Sequence, residues 1–267
     1  MKWEPSTYTE FADYRGRSYL DLMARVEHLA PKKIVDLGCG PGNMTRLLAE
    51  RWPEALVLGL DSSRQMIDTA HAGDNPPNLR FELADATSWQ ADDTIDLLFS
   101  NAMLQWIPGH LQLLRGWLRQ LESEAAIAIQ VPGNFDSPSH AVMRQVAERP
   151  DWSAKLAGVL RHADAVAAPA DYQRLLIEEG FTADVWETSY QQLLTGSDPI
   201  LDWVRGTALL PVKAALDPED YRRFEDDYRQ AVGGHYRRIE VAGGQQLTNF
   251  PFRRIFMVGQ KLGRPGS

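Results

Sequence analysis

The sequence has a single cysteine in 267 residues and no long apolar run. One cysteine excludes a disulfide within the chain, so nothing implies an oxidising compartment. No apolar stretch approaches the roughly 20 residues that span a bilayer. The first residues also lack the order of basic, apolar and small residues that is typical of a secretion signal. We therefore expect a cytoplasmic protein that does not contact a membrane.

Basic residues are too few and too scattered to indicate a nucleic-acid partner. The chain has 28 Lys and Arg against 36 Asp and Glu, which gives a formal net charge of -8. Binding to a nucleic-acid backbone depends on clustered Lys and Arg side chains, and the pairs Arg237-Arg238 and Arg253-Arg254 are too short for such a patch. A small anionic ligand held by a few arginines remains compatible with this charge.

Motifs for metal binding and covalent catalysis are also missing. The six histidines form no pair at the spacing of helical metal ligands, and the lone Cys39 lies in a glycine-rich turn. There is no Gly-x-Ser-x-Gly elbow and no phosphate-binding Gly-Lys-Ser/Thr. We predict no metal and no catalytic acid, base or nucleophile.

Short apolar, β-branched runs alternate with helical periodicity between Lys33 and Val131. This alternation predicts an α/β fold with a doubly wound, mostly parallel sheet. The predicted strands cover residues 33–37, 55–60, 79–83, 95–101 and 125–131, and the predicted helices between them cover 43–51, 63–72 and 110–121. An N-terminal helix precedes them and ends before Pro31.

The second half of the chain is less regular. Residues 149–169 contain two prolines and a glycine and predict a mobile connection. Further helices are predicted at 171–179, 200–203 and 218–231, and strands at 183–190 and 254–260. We predict an N-terminal cap segment and helix (1–30), an α/β core with an insertion around 133–170 (31–190), a helical cap (191–245), and a final strand and tail (246–267).

The segment from Val35 to Asn43 carries the clearest chemical signal. A strand ending near Asp36 leads through Gly38, Gly40 and Gly42 into a helix, which leaves bare backbone where a ligand can approach. A dinucleotide site would read G-x-G-x-x-G, whereas here the third glycine comes one residue early. The string Asp-Leu-Gly-Cys-Gly-Pro-Gly-Asn resembles the first motif of the class I (Rossmann-like) methyltransferases, whose loop holds the amino-acid end of S-adenosylmethionine.

Polar residues at the ends of the next strands agree with this resemblance. Asp61 is placed to accept hydrogen bonds from both ribose hydroxyls, although it would also suit a helix N-cap. Asp85 would accept from the adenine amino group, or would merely cap a turn. The resemblance implies that S-adenosyl-L-methionine is the cofactor and S-adenosyl-L-homocysteine its product. The predicted cofactor-binding residues are Asp36, Gly38, Gly40, Asp61, Ser62, Asp85, Ala86 and Asn101.

The fourth predicted strand runs into Ala102-Met103-Leu104-Gln105-Trp106. Ligands of open α/β sheets bind at the carboxyl ends of the strands. In methyltransferases this strand end lies beside the transferring methyl group, so the resemblance implies that Gln105 and Trp106 lie there. The alternatives are a core position for Trp106 and a solvated one for Gln105.

Over nearly its whole length the chain resembles the trans-aconitate 2-methyltransferase family. The likeness covers Trp3, Pro5, Tyr8, Phe11, Arg15, the glycine loop, Asn101-Ala102, Leu104-Gln105-Trp106, His110, Gln130-Val131-Pro132, Asn134, Pro138-Ser139-His140, Met143-Arg144, Val185-Trp186, Asp202-Trp203-Val204, Gly206-Thr207, Arg254 and Phe256. It implies transfer of a methyl group to a carboxylate of a small unsaturated tricarboxylic acid. A carboxylate with a pKa of about 4 needs no general base, so catalysis would act by positioning.

A polyanionic acceptor needs cations for its remaining carboxylates, and arginine suits them best. Arg144 and Arg253 are further candidates to bind these carboxylates. For each arginine, the alternative role is a surface ion pair. Leu210 stands where the family tends to have Arg, Gly133 where it has Asp, and Ser18 where it has Pro. The predicted substrate-binding residues are Arg15, Gln105, Trp106, His140, Trp203, Arg205 and Arg254.

Three other functions remain open from the sequence. The chain would also suit a methyltransferase for a different small acceptor, an NAD-dependent oxidoreductase, or a cofactor-binding protein without catalysis. Thermal stabilisation by NADH and not by S-adenosylhomocysteine would favour the oxidoreductase. We expect a small carboxylic acid as the partner, and a monomer or weak dimer.

Overall fold

The structure is a computed structural model that describes residues 12–263. These residues form two units. The sheet unit contains residues 15–132, 166–188 and 254–263, and the helical unit contains residues 12–14, 133–165 and 189–253. This division differs from the predicted boundaries, because the insertion after residue 132 groups with residues 189–253 and not with the α/β core.

The strands follow the α/β pattern expected from the sequence. The bounds are β1 Lys33–Leu37, β2 Leu56–Asp61, β3 Leu79–Leu83, β4 Leu97–Asn101, β5 Ala126–Pro132, β6 Asp184–Leu194, β7 Arg238–Glu240 and β8 Gln246–Gln260. The order in the sheet is β3-β2-β1-β4-β5-β8-β6; the pairs among β1 to β5 are parallel, and β8 is antiparallel to β5. The predicted doubly wound, mostly parallel sheet is confirmed.

In the sheet unit the first helix precedes β1 and the other helices lie between strands, and the helices of the helical unit follow β5 and β6. The bounds are α1 Ala12–Arg25, α2 Thr45–Arg51, α3 Arg64–His71, α4 His110–Gln120, α5 Pro138–Ala147, α6 Pro150–Ser153, α7 Pro169–Glu178, α8 Pro199–Arg205, α9 Leu210–Ala215 and α10 Pro218–Val232. Among residues 12–263, no helix combines the length and apolar character that a membrane span requires.

The middle strands of the sheet are buried almost throughout. Every residue of β5 and all of β4 except Asn101 are buried. A parallel sheet covered on both faces needs such continuous apolar runs, which explains why these strands were visible in the sequence. Their carboxyl ends meet at one edge of the sheet, where polar residues replace the apolar ones.

The helical unit has an aromatic core of its own. Trp203 packs against Phe250 and Phe252 at centroid distances of 5.4 and 5.5 Å. The prediction of a mobile connection over 149–169 is wrong for this unit. Pro150 begins α6, where a proline at the first helical position is favoured. Trp152 is 1% exposed and donates its indole N–H to Asp227 at 2.8 Å.

The last strand is longer than predicted. β8 begins at Gln246, and its first residues pair with β7 through the register Arg238↔Thr248. The short, charged β7 lacks an apolar period, so the sequence did not reveal it. At the other end of the chain, α1 ends at Arg25, several residues before the predicted stop at Pro31.

Candidate functional site

The glycine loop follows β1 and is fastened to the end of β2. The backbone N–H groups of Gly38 and Cys39 donate to the carbonyl oxygen of Leu60 at 2.8 and 3.0 Å. Gly38, Gly40 and Gly42 all have positive φ, at 77°, 56° and 76°. The loop therefore needs glycine for its backbone conformation, as the sequence predicted.

The three glycines differ in what surrounds them. A Cβ atom at Gly38 would lie 2.5 Å from Cγ of Met103, and one at Gly42 would lie 2.4 Å from Cζ of Phe81. At Gly40 it would meet no described atom within 4 Å. The outer glycines allow the loop to pack, whereas Gly40 leaves open space beside the backbone. This is the position at which a ligand can approach the loop.

Asp36 is a buried anchor beneath the loop. It is 1% exposed, and its Oδ2 accepts hydrogen bonds from Thr45 Oγ1 at 2.7 Å and Tyr19 Oη at 3.3 Å. Burial raises the pKa of Asp36 to about 7, against the lowering effect of these two donors. The carboxyl group thus joins β1 to α1 and α2. A direct contact between Asp36 and the cofactor remains a prediction.

Asp61 ends β2 and faces the loop. Its Oδ2 accepts from the Gly40 N–H at 3.0 Å and its Oδ1 from the Ser63 N–H at 2.8 Å. The N-cap of α3 is Ser63, whose Oγ accepts from the Met66 N–H, so Asp61 does not have the alternative role of capping that helix. Each carboxylate oxygen keeps acceptor capacity for one more hydrogen bond, which suits a pair of ribose hydroxyls. Ser62 lies exposed between the two.

Asp85 and Ala86 follow β3 in an exposed turn. Asp85 Oδ1 accepts from both the backbone N–H and Oγ1 of Thr87, each at 2.8 Å, and these bonds hold the pKa of the carboxyl below its usual range. The turn-capping alternative is therefore present in the structure. Oδ2 takes no part in these two bonds, so the predicted contact with an adenine amino group stays compatible with the turn.

The segment after β4 combines a strained backbone with a buried amide. Ala102 has φ 58°, which is uncommon for a residue with a Cβ atom and is found most often at functional sites. Gln105 is 7% exposed and donates from Nε2 to the Ala102 carbonyl at 2.5 Å. The alternative of a solvated Gln105 is wrong, and Trp106 is half-buried. Asn101 accepts from Ser18 Oγ at 3.4 Å.

Arg254 lies buried on β8, where it pairs with Pro132 at the end of β5. It is 5% exposed, and its Nη1 donates to Oε1 of Gln130 at 3.4 Å. The Nε2 atom of Gln130 is buried and has no hydrogen-bond acceptor among the described residues. A buried guanidinium beside a buried amide donor is a favourable environment for an anion. The sequence indicated Arg254 as a substrate-binding residue but did not indicate Gln130 as its partner.

The other predicted substrate residues have different surroundings. Trp203 is 3% exposed in the core of the helical unit, and Arg205 forms ion pairs with Asp202 and Glu225 at 2.6 and 3.0 Å. These contacts favour structural roles, because the indole is enclosed by packing and the guanidinium already has two carboxylate partners. His140 lines a cavity of the helical unit with Arg144. The side chain of Arg15 and residues 1–11 lie outside what the structure describes.

S-Adenosylmethionine fits the residues at the sheet edge. The open space at Gly40 would give its amino-acid end access to the backbone, and Asp61 would present oxygens to its ribose. No group of three or more His, Cys, Asp or Glu side chains in the described part of the chain is arranged to hold a metal.

Comparisons with solved structures agree with this fold. A putative methyltransferase from Bacillus halodurans aligns over 93% of this chain and 100% of its own, with a TM-score of 0.59 and 14% identity. A Haemonchus contortus phosphoethanolamine N-methyltransferase 2 in complex with S-adenosyl-L-methionine covers 92% of this chain and 53% of its own, with a TM-score of 0.54 and 15% identity. At this identity the likeness shows the fold alone.

Sequence comparisons are more specific. A family model described as a methyltransferase domain matches residues 34–124. The trans-aconitate 2-methyltransferase of Streptomyces coelicolor is 49% identical to this chain, over 97% of this chain and 86% of its own. That of Streptomyces avermitilis is 48% identical over 97% of both chains. The Rhodococcus jostii enzyme is 45% identical over 97% of this chain and 99% of its own. This protein therefore belongs to the trans-aconitate 2-methyltransferase family and is an S-adenosylmethionine-dependent methyltransferase.

Proposed function

We propose that this protein transfers a methyl group from S-adenosylmethionine to one carboxylate of trans-aconitate and forms a monomethyl ester. The observation that carries the proposal is the identity of 45% to 49% with relatives described as trans-aconitate 2-methyltransferases. It extends over 97% of the chain, so it includes the residues of both units and not only the methyltransferase domain. A likeness confined to residues 34–124 would support any methyl acceptor.

The polar groups at the carboxyl ends of β4 and β5 support an anionic acceptor. Arg254 brings a positive charge into a buried position, and Gln130 adds a buried N–H donor with no acceptor in the described residues. Gln130 lies one strand away from Asn101 and Arg254 lies two strands away, because Gln130 of β5 pairs with Asn101 of β4 on one side and with Phe256 of β8 on the other. A carboxylate at this position would accept a hydrogen bond from the Gln130 amide beside the positive charge of Arg254.

The reaction requires little from the protein beyond the positioning of the two reactants. Bound S-adenosylmethionine supplies a sulfonium-activated methyl group. A carboxylate oxygen is ionised at neutral pH and attacks without losing a proton, and the electron pair of the broken carbon–sulfur bond stays on sulfur. The work of the chain is to hold the donor at the glycine loop and Asp61 and to orient the carboxylate through Arg254 and Gln130. Holding two reactants in line accounts for much of the catalysis of such a step.

The acceptor and the methyl donor bear on where the enzyme acts. Its acceptor is a small-molecule acid, and the methyl donor is a metabolite of the cytoplasm, where we propose that the enzyme acts. The free, buried Cys39 imposes no redox requirement on that placement.

Mass spectrometry of reaction mixtures tests the proposal. The full chain is incubated with S-adenosylmethionine and, separately, trans-aconitate, cis-aconitate, isocitrate and monocarboxylic acids. We expect a monomethyl ester of trans-aconitate, identified by its loss on mild alkaline hydrolysis, with the highest kcat/KM in the panel. Methylation of another acid alone would replace the acceptor, and methylation of only an amine or a phenol would overturn the proposal.

A further inference from the structure

A small cavity of the helical unit has two arginines and a histidine in its wall. His140 and Arg144 come from α5, one turn apart, and Arg161 comes from the segment that follows α6. The remaining wall is apolar, with Leu160, Ala208 and Pro211 among its residues. The cationic groups thus meet in a confined space with few polar neighbours in the wall.

Phe135 organises the three polar side chains. The Arg161 guanidinium lies over its ring, 5.3 Å from the centroid, and the His140 ring approaches it edge-on with centroids 5.2 Å apart. Arg144 Nη1 donates to the carbonyl oxygens of Phe135 at 2.8 Å and of Arg161 at 3.5 Å. Arg144 therefore joins the two segments that carry the other groups, and the cavity is built by specific contacts.

The backbone beside His140 is also held in place. The Ser139 N–H donates to Tyr236 Oη at 2.8 Å, and the Ser139 carbonyl accepts from Tyr228 Oη at 3.0 Å. The Ser139 hydroxyl lies 3.2 Å from His140 Nδ1. Two tyrosines from a later part of the chain thus fix the first turn of α5, which presents His140 to the cavity in a defined orientation.

The ionisable side chains that line the cavity among the described residues are basic. Burial lowers the pKa of His140 to about 3, and the charges of Arg161 and Arg144 lower it further in the same direction, so the imidazole is neutral. Burial lowers the pKa of Arg161 to about 10, which leaves the guanidinium charged at neutral pH. Two guanidinium charges act on a partly desolvated space, where an entering anion interacts more strongly than in water.

We propose that His140, Arg144 and Arg161 form a carboxylate-binding pocket within the helical unit, whose ligand is a small polycarboxylic acid. This inference rests on the proposed function for the identity of the acid. Guanidinium groups match the planar, two-oxygen geometry of a carboxylate, and the neutral imidazole adds a donor without a charge. Arginines also bind phosphate, so inorganic phosphate is the second anion to test.

Binding without turnover is the first test. Trans-aconitate is titrated calorimetrically into the full chain saturated with S-adenosylhomocysteine, for the native protein, Arg161→Gln, Arg144→Gln and the matched control Arg149→Gln, whose side chain is exposed just after α5. We expect Kd to rise roughly 10- to 100-fold in the first two variants and to stay unchanged in the control. Arg161→Lys, which keeps the charge but loses the fork, should fall between them.

Kinetics supply the second readout. Arg161→Gln should raise KM for trans-aconitate by a similar factor, with kcat within about threefold, because the variant loses a contact with the acid and none with the methyl donor. Thermal unfolding of each variant confirms that it is folded, and Arg161→Lys supplies the comparison if Arg161→Gln is not.

The outcomes separate this inference from the proposed function. If the acid is methylated and binds equally well to Arg161→Gln, Arg144→Gln and Arg149→Gln, the pocket is overturned and the function stands. If binding depends on Arg161 but no ester forms, the function fails and the pocket stands. Inorganic phosphate that binds more tightly than trans-aconitate, and only when Arg161 is present, would overturn the carboxylate assignment.

Discussion

The two units of this protein assemble their polar sites in different ways. In the sheet unit, Asp36, Asp61 and Asn101 lie at or near the ends of neighbouring parallel strands, so the strand order brings them to one edge. In the helical unit, the cationic pocket combines α5 with segments near residues 135, 161 and 208, which no regular pattern relates. A site on a sheet edge follows from strand ends, whereas a site among helices depends on packing.

The glycine loop and the cationic pocket also differ in the charge that they bury. Asp36 is buried under the glycine loop, where its ionisation is opposed by burial. In the helical unit the guanidinium of Arg161 is the partly desolvated charge. Carboxylates suit a donor with a positive sulfonium and hydroxyl groups, and guanidiniums suit an anionic acid. Four variants test this contrast.

The largest effect is expected from Gly42→Ala. Its Cβ atom would lie 2.4 Å from Cζ of Phe81, at a residue with φ 76°. Steric overlap and backbone strain together should lower the free energy of unfolding by roughly 3 to 5 kcal/mol. Urea denaturation measures the loss. Gly40→Ala is the control: it has the strain without the overlap and should lose roughly 1 to 2 kcal/mol. Equal losses would contradict the division between packing and ligand-facing glycines.

Asp36→Asn should change how stability depends on pH. The folded-state pKa of Asp36, about 7, is above its unfolded value, so the protonated carboxyl stabilises the fold below about pH 4 and this contribution is lost as pH rises to 7. The amide cannot ionise, so we expect the free energy of unfolding of the variant to rise relative to that of the native protein across this pH range, by up to about 4 kcal/mol. Thermal unfolding at pH 4 to 8 measures the difference. A difference independent of pH would show that Asp36 does not titrate there.

Asp61→Ala should weaken cofactor binding. Loss of the carboxylate that we predict to accept from two ribose hydroxyls should reduce the affinity for S-adenosylhomocysteine by roughly 1 to 3 kcal/mol. Calorimetric titration measures the affinity, and Asp68→Ala, an exposed carboxylate on α3, controls for the change in net charge. Unchanged affinity in Asp61→Ala would remove this residue from the site.

The smallest effect is expected from Arg205→Gln. Its ion pairs with Asp202 and Glu225 involve a partly exposed guanidinium, so their loss should cost less than about 1 kcal/mol of stability. KM for trans-aconitate should not change. An increase in KM comparable to that of Arg161→Gln would mean that Arg205 binds the acceptor after all, and steady-state kinetics under the same conditions decides this.

Much of the sheet unit was predictable because its signals are local. The apolar strands identified the sheet, and the glycines identified the loop, since positive φ at 38, 40 and 42 requires them. The partners of those residues were not predictable. Tyr19 and Thr45 reach Asp36 from two different helices, and Gln130 meets Arg254 through an antiparallel pair 124 residues apart in the chain.

In the helical unit the sequence predicted individual residues but not how they come together. Arg144 and His140 were identified as candidates, but Arg161 lies in a segment whose prolines and glycine suggested a mobile connection. Trp152 and Phe135 give that region its order, through burial and ring contacts with distant residues. Leu210, which departs from the family pattern, is buried beside Pro211 of the pocket wall.

The sequence by itself determined the α/β fold, the glycine loop and the residue types at the strand ends, because backbone conformation and hydrophobic period act over a few residues. Only the tertiary structure decided which charges are buried. It enclosed Asp36 between hydroxyl groups and gathered Arg144 and Arg161 around a neutral His140. Burial and Coulomb interactions depend on distances in space, and a pKa or an anion pocket therefore appears only when separated segments pack together.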